Sequence, residues 1–349
     1  EKQGQCVMPH NHKHVLGNYQ MAGEKEVQDA IENSMLAWET WSKTSLEERT
    51  KVFRKAAELL QGPWRDTINA ATMLNQSKNA FQAEIDAACE LIDFFNFNCQ
   101  YAEDIHNNQP LISPEGVKNS LEYRPLEGFV FAITPFNFTS IAGNPPCAPA
   151  LMGNVAIWKP ASSAVLPCYY IMKMLKEAGL PDGVINFLPG SGSKVGDPVL
   201  TNPNLSGVHF TGSTQTFQHI WKTIGKNIDR YKTYPRIVGE TGGKDFCLAH
   251  ESVNIDELAT AMIRGAFEFQ GQKCSAMSRA YIPTIIWEKL KTTYLSELES
   301  VKVGSPRDFT NFMNAVIDKN AFDSITEYIE YAKTSPDAEI ISGGTYDDS

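Results

Sequence analysis

The sequence predicts an α/β protein, with a parallel sheet and crossover helices at its centre and a second, smaller α/β part after it. Three observations carry this. From residue 128 short apolar runs alternate with helical patterns, the rhythm of parallel strands joined by crossovers. Over the first hundred residues apolar side chains recur at helical spacing. After Glu240 the composition shifts and the alternation starts again. A chain of 349 residues is long enough for two or more domains with cores of their own.

In order along the chain, the first stretch offers no evident element and no initiator methionine. "SLEERTKVFRKAAELLQ" opens on Ser45 with Glu48 three residues later, a capping box, and repeats apolar residues at Val52, Ala56, Leu59 and Leu60. "FQAEIDAACELIDFFNF" sets Phe81, Ile85, Ala88, Ile92 and Phe95 on one stripe, which leaves Glu90 on a solvated face. "LISPEGVKNSLEYRPLEG" has turn residues between extended segments and predicts a β-hairpin. "GFVFAIT", "NVAIWKP", "GVINFLP", "SGVHFTGS" and "PRIVGE" read as strands; "AVLPCYYIMKMLKEAG" and "TQTFQHIWKTIGKNI" read as helices. Beyond a boundary at 240–243, "KDFCLAH" and "SRAYIP" read as strands, with helices over "NIDELATAMIRGAFEFQ", 284–299 and "NAFDSITEYIEYAK". Too few strands follow 241 to close a second sheet.

Composition excludes several classes. The net charge is −10 and no long basic run occurs, which argues against a nucleic-acid partner. No apolar run reaches membrane-spanning length, and no signal or transit peptide is visible at Glu1. Seven cysteines at scattered spacing, without C-x-x-C, signal neither a zinc site nor a disulfide framework. "HNHKH" at 10–14 lacks partner ligands, so no metal is assigned to it.

Chemistry concentrates at strand ends, where an open parallel sheet binds ligands. "TPFNFT" at 134–139, "WKP" at 158–160, "FTGS" at 210–213 and "GETGGK" at 239–244 all follow predicted strands, and "GQKCSA" places Cys274 in a small, polar loop. At the start of a helix, "FTGS" offers free N–H groups to a phosphate, and Gly212 lets the backbone approach it. Lys159 would reach a ribose hydroxyl or a phosphate; as an isolated residue it is equally a surface lysine. Cys274 must be a thiolate to attack, and Lys273 together with a helix N-terminus would favour the anion. An attacked carbonyl develops an oxyanion, which the Asn137 amide and the Cys274 N–H could hold. Glu240 sits on a flexible glycine-flanked turn suited to a general base, or to a surface ion pair.

These five motifs in this order resemble those of the aldehyde dehydrogenase superfamily. "AEIDAACELIDFF", "PALMGNVAIWKP" and "FEFQGQKCSA" look like the branch that oxidises glutamate semialdehyde, the open form of 1-pyrroline-5-carboxylate. The resemblance implies a Rossmann-type cofactor domain, a second α/β catalytic domain that is incomplete here, and a β-hairpin oligomerisation element. It implies that Cys274 is the nucleophile, Asn137 an oxyanion donor and Glu240 the base. It implies that Thr134, Lys159, Gly212, Ser213, Thr214, Gln215 and Thr216 bind NAD. Substrate contacts fall on Ser275 for the α-carboxylate, on Glu90 near the amine, and on Phe138 along the aliphatic chain. The corresponding divisions are 1–110, a helical part of the cofactor domain; 111–127, the oligomerisation hairpin; 128–240, the Rossmann-type core; and 241–349, the catalytic domain. A homodimer or higher homo-oligomer in the mitochondrial matrix is implied as well.

The chain departs from the family pattern at Ser162, where many relatives carry an acidic residue on the ribose, and at Phe217, where many carry glycine. NAD over NADP therefore follows from the branch and not from Ser162. The family's later Glu-x-Phe-Gly-Pro segment, its substrate-anchoring loop and its terminal arm do not occur before Ser349, nor its opening strands before Glu1. The expectation is that these residues alone do not turn over. A dehydrogenase for another aldehyde, and a non-catalytic protein on the same scaffold, are the competing readings.

Overall fold

The computed structural model describes residues 2–348. By contact the chain forms two compact units. The first contains residues 1–6, 15–72 and 83–241, and the second contains 7–14, 73–82 and 242–349. The long crossing falls between Thr241 and Gly242, while two short stretches within 1–110 group with the later part of the chain.

The chain begins with two paired strands, β1 (Gln3–Met8) and β2 (Asn11–Gln20), where the sequence offered no first element. Their polar, histidine-rich composition hides the pattern, since β2 buries almost nothing. Helices α1 (Glu24–Trp41), α2 (Leu46–Gln61), α3 (Arg65–Gln76), the short α4 (Ala80–Ala83) and α5 (Glu90–Asn107) follow. The capping box starting α2 forms as expected: Ser45 Oγ accepts the Glu48 N–H at 3.2 Å, and the Glu48 carboxylate accepts the Ser45 N–H at 3.2 Å.

The stripe assigned to 81–97 holds in its later part, where Ala88 and Phe95 are buried and Ile92 packs against the core, and shifts in its first part, where Phe81 and Ile85 are 57% and 38% exposed. A π-helical turn, Glu84–Cys89, causes the shift. Its i→i+5 bonding puts an extra residue into one turn, which changes the rotation of the residues after it relative to an unbroken α-helix. Its first residue is held from α3: Arg65 pairs with Glu84, and Asn69 Nδ2 donates to Glu84 Oε2 at 2.5 Å. The guanidinium holds the Glu84 carboxyl below its ordinary range.

Five parallel strands form the sheet of the first unit: β3 (Phe129–Ile133), β4 (Val155–Lys159), β5 (Ile185–Phe187), β6 (Leu205–Thr211) and β7 (Arg236–Glu240), in the order β5-β4-β3-β6-β7. The crossovers are α6 (Thr139–Leu151), α7 (Val165–Glu177), α8 (Gly192–Leu200) and α9 (Thr214–Lys226). β3 and β4 are buried almost throughout, as expected of strands covered on both faces. Strand order reverses between β3 and β6, which makes a topological switch point there.

The sequence did not disclose α6, because Pro145, Pro146 and Pro149 lie inside it. Pro149 has no N–H to offer the Pro145 carbonyl, so that helical bond is missing. The hairpin expected over 111–127 contains no strand. The segment turns where the Val117 N–H meets the Pro114 carbonyl, and the Gln109 side chain replaces a ladder by bonding the Leu121 N–H at 2.8 Å and its carbonyl at 3.2 Å.

In the second unit β8 (Phe246–Leu248) and β9 (Arg279–Tyr281) pair in parallel, joined through α10 (Ile255–Phe267). The core of this unit joins Leu258, Ala259 and Met262 of α10 to Leu290 of α11 (Thr284–Glu299). The last helix, α12 (Lys319–Thr334), buries no residue.

Candidate active site

The first unit gathers most of the expected site residues at the carboxyl ends of β3, β4, β6 and β7. After β3, Thr134 is buried and its Oγ1 accepts the Trp158 indole N–H at 2.8 Å. Its backbone N–H donates to the Lys159 carbonyl at 3.2 Å, which continues the β3–β4 pairing one residue further. Asn137 is half-buried in the turn that follows, and Phe138 is buried at the N-cap of α6. Lys159 ends β4 in a mostly buried position, with Nζ donating to the Pro160 carbonyl at 3.2 Å, and burial pulls its pKa down. The free surface lysine left open by the sequence is thereby ruled out.

The switch point places the β6–α9 turn beside β3, since Ile133 pairs with Phe210. Ser213 caps α9, accepting the Thr216 N–H at 3.2 Å. Thr214 and Gln215 are exposed and present the first N–H groups of the helix. A Cβ on Gly212 would stand 2.8 Å from the Phe210 ring, so a side chain here would have to displace that ring. An open helix start behind a bare glycine fits a phosphate-bearing dinucleotide. Ser162, in the place of an acidic residue, donates to the Gly190 carbonyl at 3.3 Å. Phe217 stacks on Phe210 with ring centroids 5.7 Å apart. Glu240 closes β7 with its side chain exposed, and its carbonyl accepts the Gly212 N–H at 3.1 Å.

Glu90 is half-buried rather than on a solvated face, and Ser140 Oγ of α6 donates to its Oε2 at 2.7 Å. Sequence spacing could not show this partner, which lies 50 residues away on α6.

The second unit carries Cys274 and Ser275 in the turn 273–276, closed by the Ala276 N–H on the Lys273 carbonyl at 3.2 Å. Cys274 is half-buried and Ser275 exposed. Ahead of them a 3₁₀ turn, Glu268–Gly271, contains three successive left-handed residues: Phe269 at φ 50°, Gln270 at φ 56° and Gly271 at φ 69°. For side-chain-bearing residues this conformation costs roughly 1–2 kcal/mol each. It is held by the surroundings: Phe269 is fully buried under the Lys78 ammonium, 4.4 Å from the ring centre. The Gln270 side chain donates to the Ala315 carbonyl at 2.8 Å and accepts the Asn314 N–H at 2.9 Å, and Gln272 accepts the Ile317 N–H at 2.9 Å. Imposed strain of this kind concentrates where a reactive group must be aimed.

Two features expected to favour the thiolate are arranged differently. Lys273 Nζ lies 3.1 Å from Glu268 Oε2, so its charge is shared with a carboxylate. The helix adjoining the cysteine loop is α10, which meets it through its C-terminal end, the end that presents carbonyls. Gly243 is a site residue the sequence reading passed over. A Cβ there would fall on the Cys274 carbonyl, far inside van der Waals contact. The glycine pair in "GETGGK" was visible, but its partner was not. Gly243→Ala is expected to cost about 1–3 kcal/mol of stability through forced displacement of the cysteine turn. Thermal unfolding combined with thiol labelling of Cys274 measures it; an alanine variant with native stability and labelling would show that the turn has slack.

Among the described residues no group of three or more His, Cys, Asp or Glu side chains is placed to hold a metal, and no helix is long and apolar enough to cross a membrane.

Comparison with known proteins identifies the family. The chain is 52% identical over 341 residues, 97% of its own length, to the mitochondrial delta-1-pyrroline-5-carboxylate dehydrogenase of Dictyostelium discoideum. It is 46% identical over 344 residues to the protein of the same name from Homo sapiens. In both cases it spans 61% of the relative's length. It superposes over its full length, at a TM-score of 0.98 and 51% identity, on 65% of the delta-pyrroline-5-carboxylate dehydrogenase of Mycobacterium tuberculosis crystallised with NAD. The sequence profile of the aldehyde dehydrogenase family matches residues 1–349, and the chain belongs to that family.

Proposed function

We propose that the protein oxidises L-glutamate γ-semialdehyde to L-glutamate with NAD, in the breakdown of proline. The observation that carries the reading is the row of Thr134, Asn137, Lys159, Ser213 and Glu240 at or just beyond the carboxyl ends of four adjacent parallel strands. The relatives named for this activity support it, as does the NAD-bound crystal structure among them.

In this mechanism the Cys274 thiolate adds to the aldehyde carbon and the carbonyl electrons move to oxygen. The Asn137 amide and the Cys274 N–H donate to that oxyanion. Lys159 and the turn Gly212 to Thr216 hold the adenosine and pyrophosphate half of NAD, with Thr134 beside the nicotinamide. When bound, NAD⁺ supplies the acceptor for the aldehyde hydrogen, which leaves with its electron pair. The carbon is then a thioester of Cys274. Glu240 takes a proton from water as the water oxygen adds to that carbon, the C–S bond breaks, and the thiolate returns. Glu90, oriented by Ser140, receives the substrate ammonium, Ser275 the α-carboxylate, and Phe138 the aliphatic chain. The roles assigned by region are the cofactor core at 128–240 with its helical part at 1–110, catalysis at 241–349, and self-association through 111–127. Exposed Leu111, Ile112, Val117 and Leu121 favour self-association through that last segment. A mitochondrial matrix location is part of this reading, supported by relatives named as mitochondrial.

Two measurements test the reading. Turnover of glutamate semialdehyde should exceed that of an aliphatic aldehyde of equal length lacking the amino-acid group; equal rates would favour a dehydrogenase for another aldehyde. Iodoacetamide at neutral pH should modify Cys274 before the other six cysteines. Burial raises the pKa of Cys6 to about 11 and lifts those of Cys99, Cys147 and Cys168 as well. Uniformly slow labelling of all seven would favour the non-catalytic scaffold.

A further inference from the structure

Among the described residues the strand that carries Glu240 stands at the edge of its sheet, paired with β6. What steadies its end is a large residue fitted against a small one. The ring of Phe217 occupies the space where a Cβ on Gly239 would stand, overlapping it well inside van der Waals contact. That ring is itself fixed from two directions, stacked on Phe210 at 5.7 Å with 20° between planes, and met edge-on by Trp221 at 5.6 Å. Gly239 pairs with Phe210 across the ladder, and the next carbonyl, that of Glu240, accepts the Gly212 N–H at 3.1 Å. The peptide before Glu240 is therefore covered by an aromatic face and the peptide after it is tied to the α9 turn. The Glu240 side chain itself remains exposed.

We propose that Phe217 is a positioning residue for Glu240: seated on Gly239, its ring fixes the Cα from which the carboxylate reaches the water. This rests on the reading of Glu240 as the base that releases the acyl group from Cys274. The same packing accounts for a bulky residue at 217, where many family members carry glycine, since Gly239 supplies the room.

The test uses the intact protein and p-nitrophenyl acetate, which acylates a reactive cysteine without any cofactor. The thiolate adds to the ester carbon and p-nitrophenolate leaves; water then adds, Glu240 takes its proton, and acetate leaves as the thiolate reforms. Phe217→Leu should keep the initial burst of p-nitrophenolate while slowing steady release by about 10- to 100-fold, the scale of a displaced catalytic group. Acetyl-Cys274 should accumulate by mass spectrometry, and the amides of 237–241 should exchange faster with deuterium. Gly239→Ala, which pushes the ring aside, should do the same and stands in if the leucine variant does not fold. Phe217→Tyr, which keeps the ring, should return toward native behaviour. Burst and steady rates that fall by one common factor, or do not change, would overturn the positioning role and leave Phe217 a packing residue. An unaltered protein that forms no acetyl-Cys274 would overturn the reading of the cysteine itself, and the positioning role with it.

Discussion

Replacing Cys274 by serine in the intact protein is expected to lower NADH formation from glutamate semialdehyde by about a thousandfold or more, the scale seen when a nucleophile is removed. A thiol reaches its anion some units of pH below a hydroxyl, and only the anion attacks. Serine is close in size, and Cys274 lies half-buried in a turn whose shape is set by Phe269, Gln270 and Gln272. The fold should therefore persist, with a stability change within about 0.5 kcal/mol. Steady-state NADH production and thermal unfolding measured on the same sample separate chemistry from folding. Retention of more than a tenth of the native rate would remove Cys274 from the mechanism.

Glu240→Gln should show the second largest effect, with a distinct signature. The carboxamide cannot take the water proton, so thioester release should slow by about 10²- to 10⁴-fold, the usual contribution of a general base. The steps before it do not use Glu240, so a first turnover of NADH should still appear, followed by a nearly flat line. Trapped acyl-Cys274 seen by mass spectrometry is the direct check. If the first turnover is lost along with the steady rate, Glu240 acts earlier than release. The exposed side chain at the end of β7 makes the substitution structurally mild.

The five strands from 128 to 240 and the crossover helices α7 and α9 were legible because a sheet covered on both faces needs continuous apolar runs with turn residues between them, whereas α8, nine residues containing Gly192, Gly196 and Pro198, was not. The start of α2 was legible because its capping box is a local pattern. What escaped was non-local or irregular. Of the paired strands, β2 escaped because it buries no residue, and β1 because its alternation is confined to Cys6 and Met8. Helix α6 escaped because three prolines contradict helical propensity. The hairpin at 111–127 was read from turn residues alone, yet its backbone is bonded through Gln109 rather than through a ladder.

By itself the sequence determined which residue types the proposed chemistry draws on and in what order they come: a thiol in an open loop, an amide after one strand, a carboxylate after another, a glycine-bearing helix start between them. Those choices are local, and the chemistry of each group travels with it. Only the tertiary structure decided their settings. It gave Glu90 a hydroxyl partner instead of water, bound Lys273 to Glu268, and made Gly243 and Gly239 necessary through atoms 31 residues ahead at Cys274 and 22 residues behind at Phe217. Steric exclusion and ion pairing depend on distance in space, and a linear chain does not encode that distance until the strands are paired and the helices packed.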